Sequence, residues 1–155
     1  MKKVNLTELI ISVVFAELTG ALSALLAGGF TGLYTTFVQP PFSPPSWVFP
    51  VVWTILYALM GISAYMVYSS ESYKAKPALT VYLIRLAVNF LWSIIFFRFE
   101  WLTVAAVVAI ILAILVALMI ALFYRVDKKA AFLNIPYLLW TIFASYLAIG
   151  TALLN

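Results

Sequence analysis

Hydrophobic residues run along this chain in five long blocks rather than in alternation, at roughly 5–27, 46–69, 78–98, 102–124 and 130–154. Each block holds about the 20 residues that an α-helix needs to cross a bilayer at ~1.5 Å per residue. Barrel strands would need alternating segments of about 10 residues, and the chain has no such series. The blocks are apolar around their whole circumference, as suits helices that face both lipid and one another. The pattern predicts an all-α integral membrane protein, a five-transmembrane-helix bundle that makes residues 1–155 a single membrane domain. Only the first connection, about residues 28–45, is long.

Composition agrees with the pattern. Hydrophobic residues make up 66% of the chain and charged residues 9%, against about 45–50% and about 25% in soluble domains. The first block is too long for the apolar core of a secretory leader and lacks a small-residue cleavage pattern after it, so it is expected to remain as a helix. Cysteine and histidine are both absent, which excludes disulfides, thiolate metal sites and the commonest general base. Five carboxylates, three arginines, hydroxyls and indoles are left to carry any chemistry. Neither a metal site nor a resident cofactor is expected, and an ordinary hydrolase or metalloenzyme is disfavoured.

Charge supplies an orientation. Lys2, Lys3, Lys74, Lys76, Arg125, Lys128 and Lys129 fall on the side of the N-terminus, Arg98 on the other, and Arg85 within a block. By the positive-inside rule the N-terminus is cytoplasmic and the C-terminus outside. The net charge of +4 therefore reads as topology, with some attraction to anionic lipid, and nucleic acid is not an expected partner.

Several helix faces stand out. Ala16, Gly20, Ala24 and Gly28 recur every four residues, as do Ala105, Ala109, Ala113, Ala117 and Ala121. Small residues at this spacing let helices approach closely, either inside the bundle or across a homodimer seam. Glu17 and Arg85 fall at similar mid-membrane depth and are placed to pair. An unpaired charge there costs about 2.5–3.5 kcal/mol on insertion scales. Asn89, Trp92 and Phe96 share a face with Arg85; Trp53, Tyr57 and Gly61 share one; Trp140, Phe143, Ala144 and Leu147 share another. Tryptophan deep in hydrocarbon seeks a partner for its N–H, so these faces form a candidate pocket, whereas Trp47 and Trp101 sit at helix ends where an interfacial belt accounts for them.

The first loop, "GGFTGLYTTFVQPPFSPP", carries no charge, with Gly28, Gly29 and Gly32 at one end and Pro40, Pro41, Pro44 and Pro45 at the other. It reads as an ordered cap or as a lid with a glycine hinge and a proline-stiffened base. Ser46 is placed to cap the next helix and Pro50 falls in its first turn, where few N–H partners are lost. Pro136 lies within the fifth block and is expected to kink that helix before Trp140.

Three stretches, "PPFSPPSWVFPVVWTILYALMG" from Pro40, "NFLWSIIFF" from Asn89 and "PYLLWTIFASYL" from Pro136, occur here in an order that carries a resemblance. The chain resembles the bacterial members of the tryptophan-rich sensory protein family, also called translocator protein or peripheral-type benzodiazepine receptor, over nearly its whole length. The resemblance implies a usually dimeric five-helix bundle in the bacterial cell membrane, with an outer-half pocket capped by the first loop. It implies binding of porphyrins such as protoporphyrin IX, and of synthetic isoquinoline carboxamide and benzodiazepine ligands. Carried over, the pocket residues are Trp53, Tyr57, Asn89, Trp92, Trp140, Phe143 and Ala144, with Pro44, Pro45 and Trp47 at the loop junction. Leu33-Tyr34, Gln39 and Ala148 depart from the Trp-Tyr pair, the basic residue and the asparagine that family members often carry. No Lys or Arg follows Lys129, which removes the C-terminal cholesterol pattern of eukaryotic members.

Three functions follow as expectations. The first is a receptor or sensor that stacks a flat apolar ligand against tryptophan. The second is an enzyme for light- or oxygen-dependent porphyrin degradation, in which Trp53 and Trp140 would be the redox partners and the porphyrin would supply the hard chemistry. The third is a tetrapyrrole or lipid transporter, which the lack of an inverted repeat makes hard to build in one chain.

Overall fold

A computed structural model of the chain describes residues 3–28 and 36–155. Among these residues the protein is all-helical, in the order α1 (Leu6–Leu26), α2 (Val48–Tyr68), α3 (Ala75–Ser93), α4 (Leu102–Tyr124), α5 (Lys128–Phe132) and α6 (Ile135–Leu154). Five helical segments are long and apolar enough to cross a membrane, α5 and α6 together forming the fifth. The protein is therefore an integral membrane protein.

Cross-helix hydrogen bonds define an up-and-down bundle. At one end the Asn5 N–H donates to Tyr65 Oη at 2.8 Å, joining the start of α1 to the end of α2. At the other end Arg98 Nη1 donates to the Leu26 carbonyl at 3.2 Å, where the last carbonyls of α1 attract a cation. Within the span Ser12 Oγ donates to the Gly61 carbonyl at 2.7 Å and Ser23 Oγ to the Phe90 carbonyl at 2.9 Å. Such bonds join helices where lipid removes the hydrophobic incentive to associate.

The small-residue stripe of α1 is used inside the chain. Ala16 is fully buried, and a Cβ on Gly20 would collide with the Tyr57 ring. A Cβ on Gly61 would lie 2.5 Å from Val13 Cα, so α1 and α2 meet backbone to backbone. The α4 stripe divides: Ala105 and Ala109 are buried, whereas Ala117 and Ala121 are exposed.

Two helix interruptions differ from the sequence expectation. The fifth span is broken at Leu133 and Asn134, and Pro136 falls in the first turn of α6. There it loses no intrahelical hydrogen bond, so the expected kink before Trp140 is replaced by a break upstream of the proline. Asn134 holds the break, donating from Nδ2 to Ser63 Oγ at 2.8 Å and to the Ala130 carbonyl at 3.0 Å. Asp127 caps α5 by accepting from the N–H groups of Lys129 and Ala130. The third span ends in a π-helical turn over Ile94–Arg98, in which the Phe99 N–H bonds to the Ile94 carbonyl at 3.1 Å.

Gly61→Ala is expected to destabilise the protein by about 1–3 kcal/mol, because the added methyl meets backbone that cannot step aside. A lower unfolding midpoint in detergent reads this out. Leu83→Ala, at a position 52% exposed, should stay within about 0.5 kcal/mol of the parent.

Candidate functional site

The entrance to α2 is built by backbone. Val48 and Phe49 donate their N–H groups to the carbonyls of Pro45 and Ser46, at 3.1 and 3.4 Å. Ser46 thus contributes its carbonyl, and no side-chain cap forms. Phe49, Trp53 and Tyr57 follow at four-residue spacing and are all buried, stacked along one face of the helix.

These rings meet α6. Trp53 lies edge-to-face with Tyr137 at a centroid distance of 6.1 Å and with Trp140 at 6.4 Å. Phe49 meets Trp140 at 5.8 Å, and Trp140 meets Phe143 at 5.6 Å. Each such pair contributes about 0.5–1.5 kcal/mol beyond its buried area. α2 and α6 are not among the closely packed helix pairs, so a layer of rings fills the seam between them.

Buried polar groups accompany these rings. Asn89 Nδ2 donates to Tyr57 Oη at 2.7 Å, while Asn89 Oδ1 and Trp140 Nε1 are buried without a partner. Trp92 is different: its Nε1 donates to the Ala105 carbonyl at 3.0 Å, so its N–H is committed to joining α3 and α4. Its ring stacks on Phe96 at 5.3 Å.

Glu17 and Arg85 form no ion pair, although their depths match. Arg85 is fully buried, with its guanidinium 4.8 Å from the Tyr82 ring centroid and 4.9 Å from that of Tyr137. Its Nη1 reaches Met60 Sδ at 2.9 Å, and Nε and Nη2 have no hydrogen-bond partner. Two aromatic faces thus take the place of a carboxylate. Sequence reasoning missed Tyr137, whose signal is its position three residues before Trp140 on the same helix.

The predicted site residues line three separate spaces. Trp53 and Tyr57 face a crevice of about 160 Å³ beside α1. Trp140 and Phe143 face an open groove with Leu56 and Pro136. Trp92 and Ala144 line a hollow with Phe49 and Phe96 of about 20 Å³, room for about one water molecule. Asn89 is buried behind Tyr57. At the loop junction Trp47 is 66% exposed and Pro45 is also exposed, while Pro44 is half-buried.

The described half of the first loop is tied to α6. Val38 exchanges two hydrogen bonds of 3.0 Å with the Asn155 side chain, and Tyr146 Oη donates to the Pro41 carbonyl at 2.6 Å. Phe37 rests on Phe96 at 5.9 Å. At the other end Gly28 has φ +85°, a left-handed geometry that suits a glycine hinge. Gly29, Gly32, Leu33 and Tyr34 lie outside the described residues.

Residues 10–154 match the TspO/MBR family. The chain belongs to that family. It is 36% identical to a tryptophan-rich protein TspO of Archaeoglobus fulgidus over 149 residues, which cover 90% of this chain and 97% of the relative. It is 32% identical to protein CrtK of Rhodobacter capsulatus, covering 97% of this chain and 94% of that protein. The translocator protein of Bos taurus is 31% identical, covering 77% and 79% of the two chains. In this TspO/MBR protein Ala148 is buried in the wall of the hollow with Trp92.

Combining Tyr146→Phe with Asn155→Ala should free the loop from α6. Amide hydrogen exchange at Val38 should rise about fivefold for each hydrogen bond of about 1 kcal/mol that holds it. Unchanged protection at Val38 would show that these bonds do not hold the loop.

Proposed function

We propose that this TspO/MBR protein is a membrane receptor or sensor that binds porphyrins such as protoporphyrin IX. Other flat apolar ligands, such as isoquinoline carboxamides and benzodiazepines, fit the same reading, with the pocket formed by tryptophans under the first loop. The observation that carries it is the ring layer of Phe49, Trp53, Tyr137 and Trp140, with Trp140 Nε1 buried and unpartnered within it and Asn89 Oδ1 buried and unpartnered behind Tyr57. Planar rings supply stacking faces, while one donor and one acceptor fix an orientation.

Small-molecule sites occupy about 300–1,000 Å³, far more than the 20 Å³ beneath the loop. Binding in this reading therefore opens the loop and spreads the rings apart. The described ties of the loop are the hydrogen bonds of Val38 and Pro41 to α6, the packing of Pro40 on Gly150 of α6, and the ring contact of Phe37 with Phe96 of the third span, and in this reading ligand contacts replace them. The protein would sit in the bacterial cell membrane with its N-terminus cytoplasmic and the loop and C-terminus outside, as the lysine and arginine bias favours. A homodimer would use the exposed Ala117 and Ala121 of α4.

Porphyrin degradation is a second reading. The Trp53–Trp140 contact at 6.4 Å favours it, since adjacent indoles could pass an electron to or from a bound porphyrin. Product that forms equally fast in illuminated detergent without protein would eliminate it.

Titrating the protein with protoporphyrin IX should quench tryptophan fluorescence saturably. Trp53→Phe with Trp140→Phe should weaken binding about tenfold, equivalent to about 1.4 kcal/mol. Equal affinity in the double variant would place the ligand elsewhere.

A further inference from the structure

We propose that the crevice between α1 and α2 is a second binding site, entered from the hydrocarbon and selective for small aromatic ammonium compounds. It lies on the side of Trp53 that faces α1, and it is lined by Glu17, Gly20, Ala24, Trp53, Thr54 and Tyr57. The ring layer with Tyr137 and Trp140 lies on another side of the same indole.

Three observations define the occupant. The space, about 160 Å³, is close to a cavity of about 150 Å³ that holds benzene in another protein. One aromatic ring fits; a porphyrin does not. The crevice also carries a carboxylate at mid-membrane depth, and Glu17 has no hydrogen bond or ion pair with any described residue. Arg85, the cation at the same level, is held between Tyr82 and Tyr137.

The neighbouring hydroxyls do not serve Glu17 either. Thr54 Oγ1 donates to the Pro50 carbonyl at 2.7 Å, and Thr19 Oγ1 to the Phe15 carbonyl at 2.8 Å. Ser93 and Tyr57 also line the crevice, and neither hydroxyl is bonded to Glu17. An acceptor with no donor among the described residues selects a ligand that brings one. A carboxylate in low dielectric favours a cationic donor most strongly, and the flanking Trp53 and Tyr57 rings add cation–π attraction. An ammonium group at Glu17 with its ring between Ala24 and Trp53 satisfies all three walls.

The site is built by features that also pack the helices. Gly20 has no side chain, which leaves Tyr57 against the α1 backbone and opens the floor of the crevice. A larger residue at position 24 would fill the space without touching the carboxylate.

The test uses 4-bromophenethylamine and its neutral counterpart 4-bromophenethyl alcohol, whose bromine quenches nearby indoles. Both are titrated against the full-length protein in neutral detergent micelles at pH 7, with the quench by protoporphyrin IX measured in parallel. The amine should half-saturate at a concentration at least tenfold lower than the alcohol, although the alcohol partitions better into micelles. Glu17→Gln should bring the two within twofold of each other. Ala24→Leu should abolish saturable quenching by the amine and leave the porphyrin response unchanged. Equal binding of amine and alcohol to the parent protein overturns the proposal without reference to any variant, and so does a preference that survives Glu17→Gln. Quenching that never saturates means that detergent or lipid chains occupy the crevice, and also overturns it. Loss of porphyrin binding with the amine preference intact would instead reject the reading of the ring layer.

Discussion

Everything in this bundle depends on how helices adhere in a solvent as apolar as they are. Lipid chains remove the gain from burying leucine against leucine, so association falls to close backbone contact and to polar bonds that have no water to compete for them. The meeting of Gly61 with the backbone at Val13, sealed by the bond from Ser12 to the Gly61 carbonyl, is the tightest such contact described. It sets the height of α2 against α1, and with it the positions of Tyr57 and Trp53. Gly20 allows a second close approach further along, there to the Tyr57 ring.

A different principle governs the seam between α2 and α6. There the backbones stay apart and aromatic rings fill the gap. Ring contacts of about 0.5–1.5 kcal/mol each close the seam. Two polar atoms, Trp140 Nε1 in the layer and Asn89 Oδ1 behind Tyr57, are buried without a hydrogen-bond partner.

Much of this was legible in the sequence, because membrane spans are specified by length and apolarity. Trp53, Tyr57, Asn89 and Trp140 were picked out by helical periodicity, which is a local property. What periodicity does not encode is which partner a group finds across the bundle. Trp92 spends its N–H on the Ala105 carbonyl, and Arg85 turns to tyrosine rings and a methionine sulfur instead of to Glu17. Matching depth was a necessary condition for that ion pair but not a sufficient one, since the two side chains must also point at each other. Pro136 shows the limit at an element boundary: a proline within an apolar block reads as a kink, and only the break at Asn134 reveals it as a helix start.

The π-helical turn at Ile94–Arg98 has a consequence for how aromatic density is concentrated. In a regular α-helix consecutive residues point about 100° apart, so adjacent phenylalanines seldom share an environment. Here Phe96 and Phe97 are both buried, with their ring centroids 4.8 Å apart, and Trp92 meets each of them. One extra residue in the turn crowds three neighbouring rings onto a single wall, under the segment where Phe37 comes to rest. A deletion that restored regular winding would leave the composition of the wall almost intact and scatter its rings around the helix. The third span thus spends a backbone irregularity to make a surface that no spacing of aromatics along an ideal helix provides.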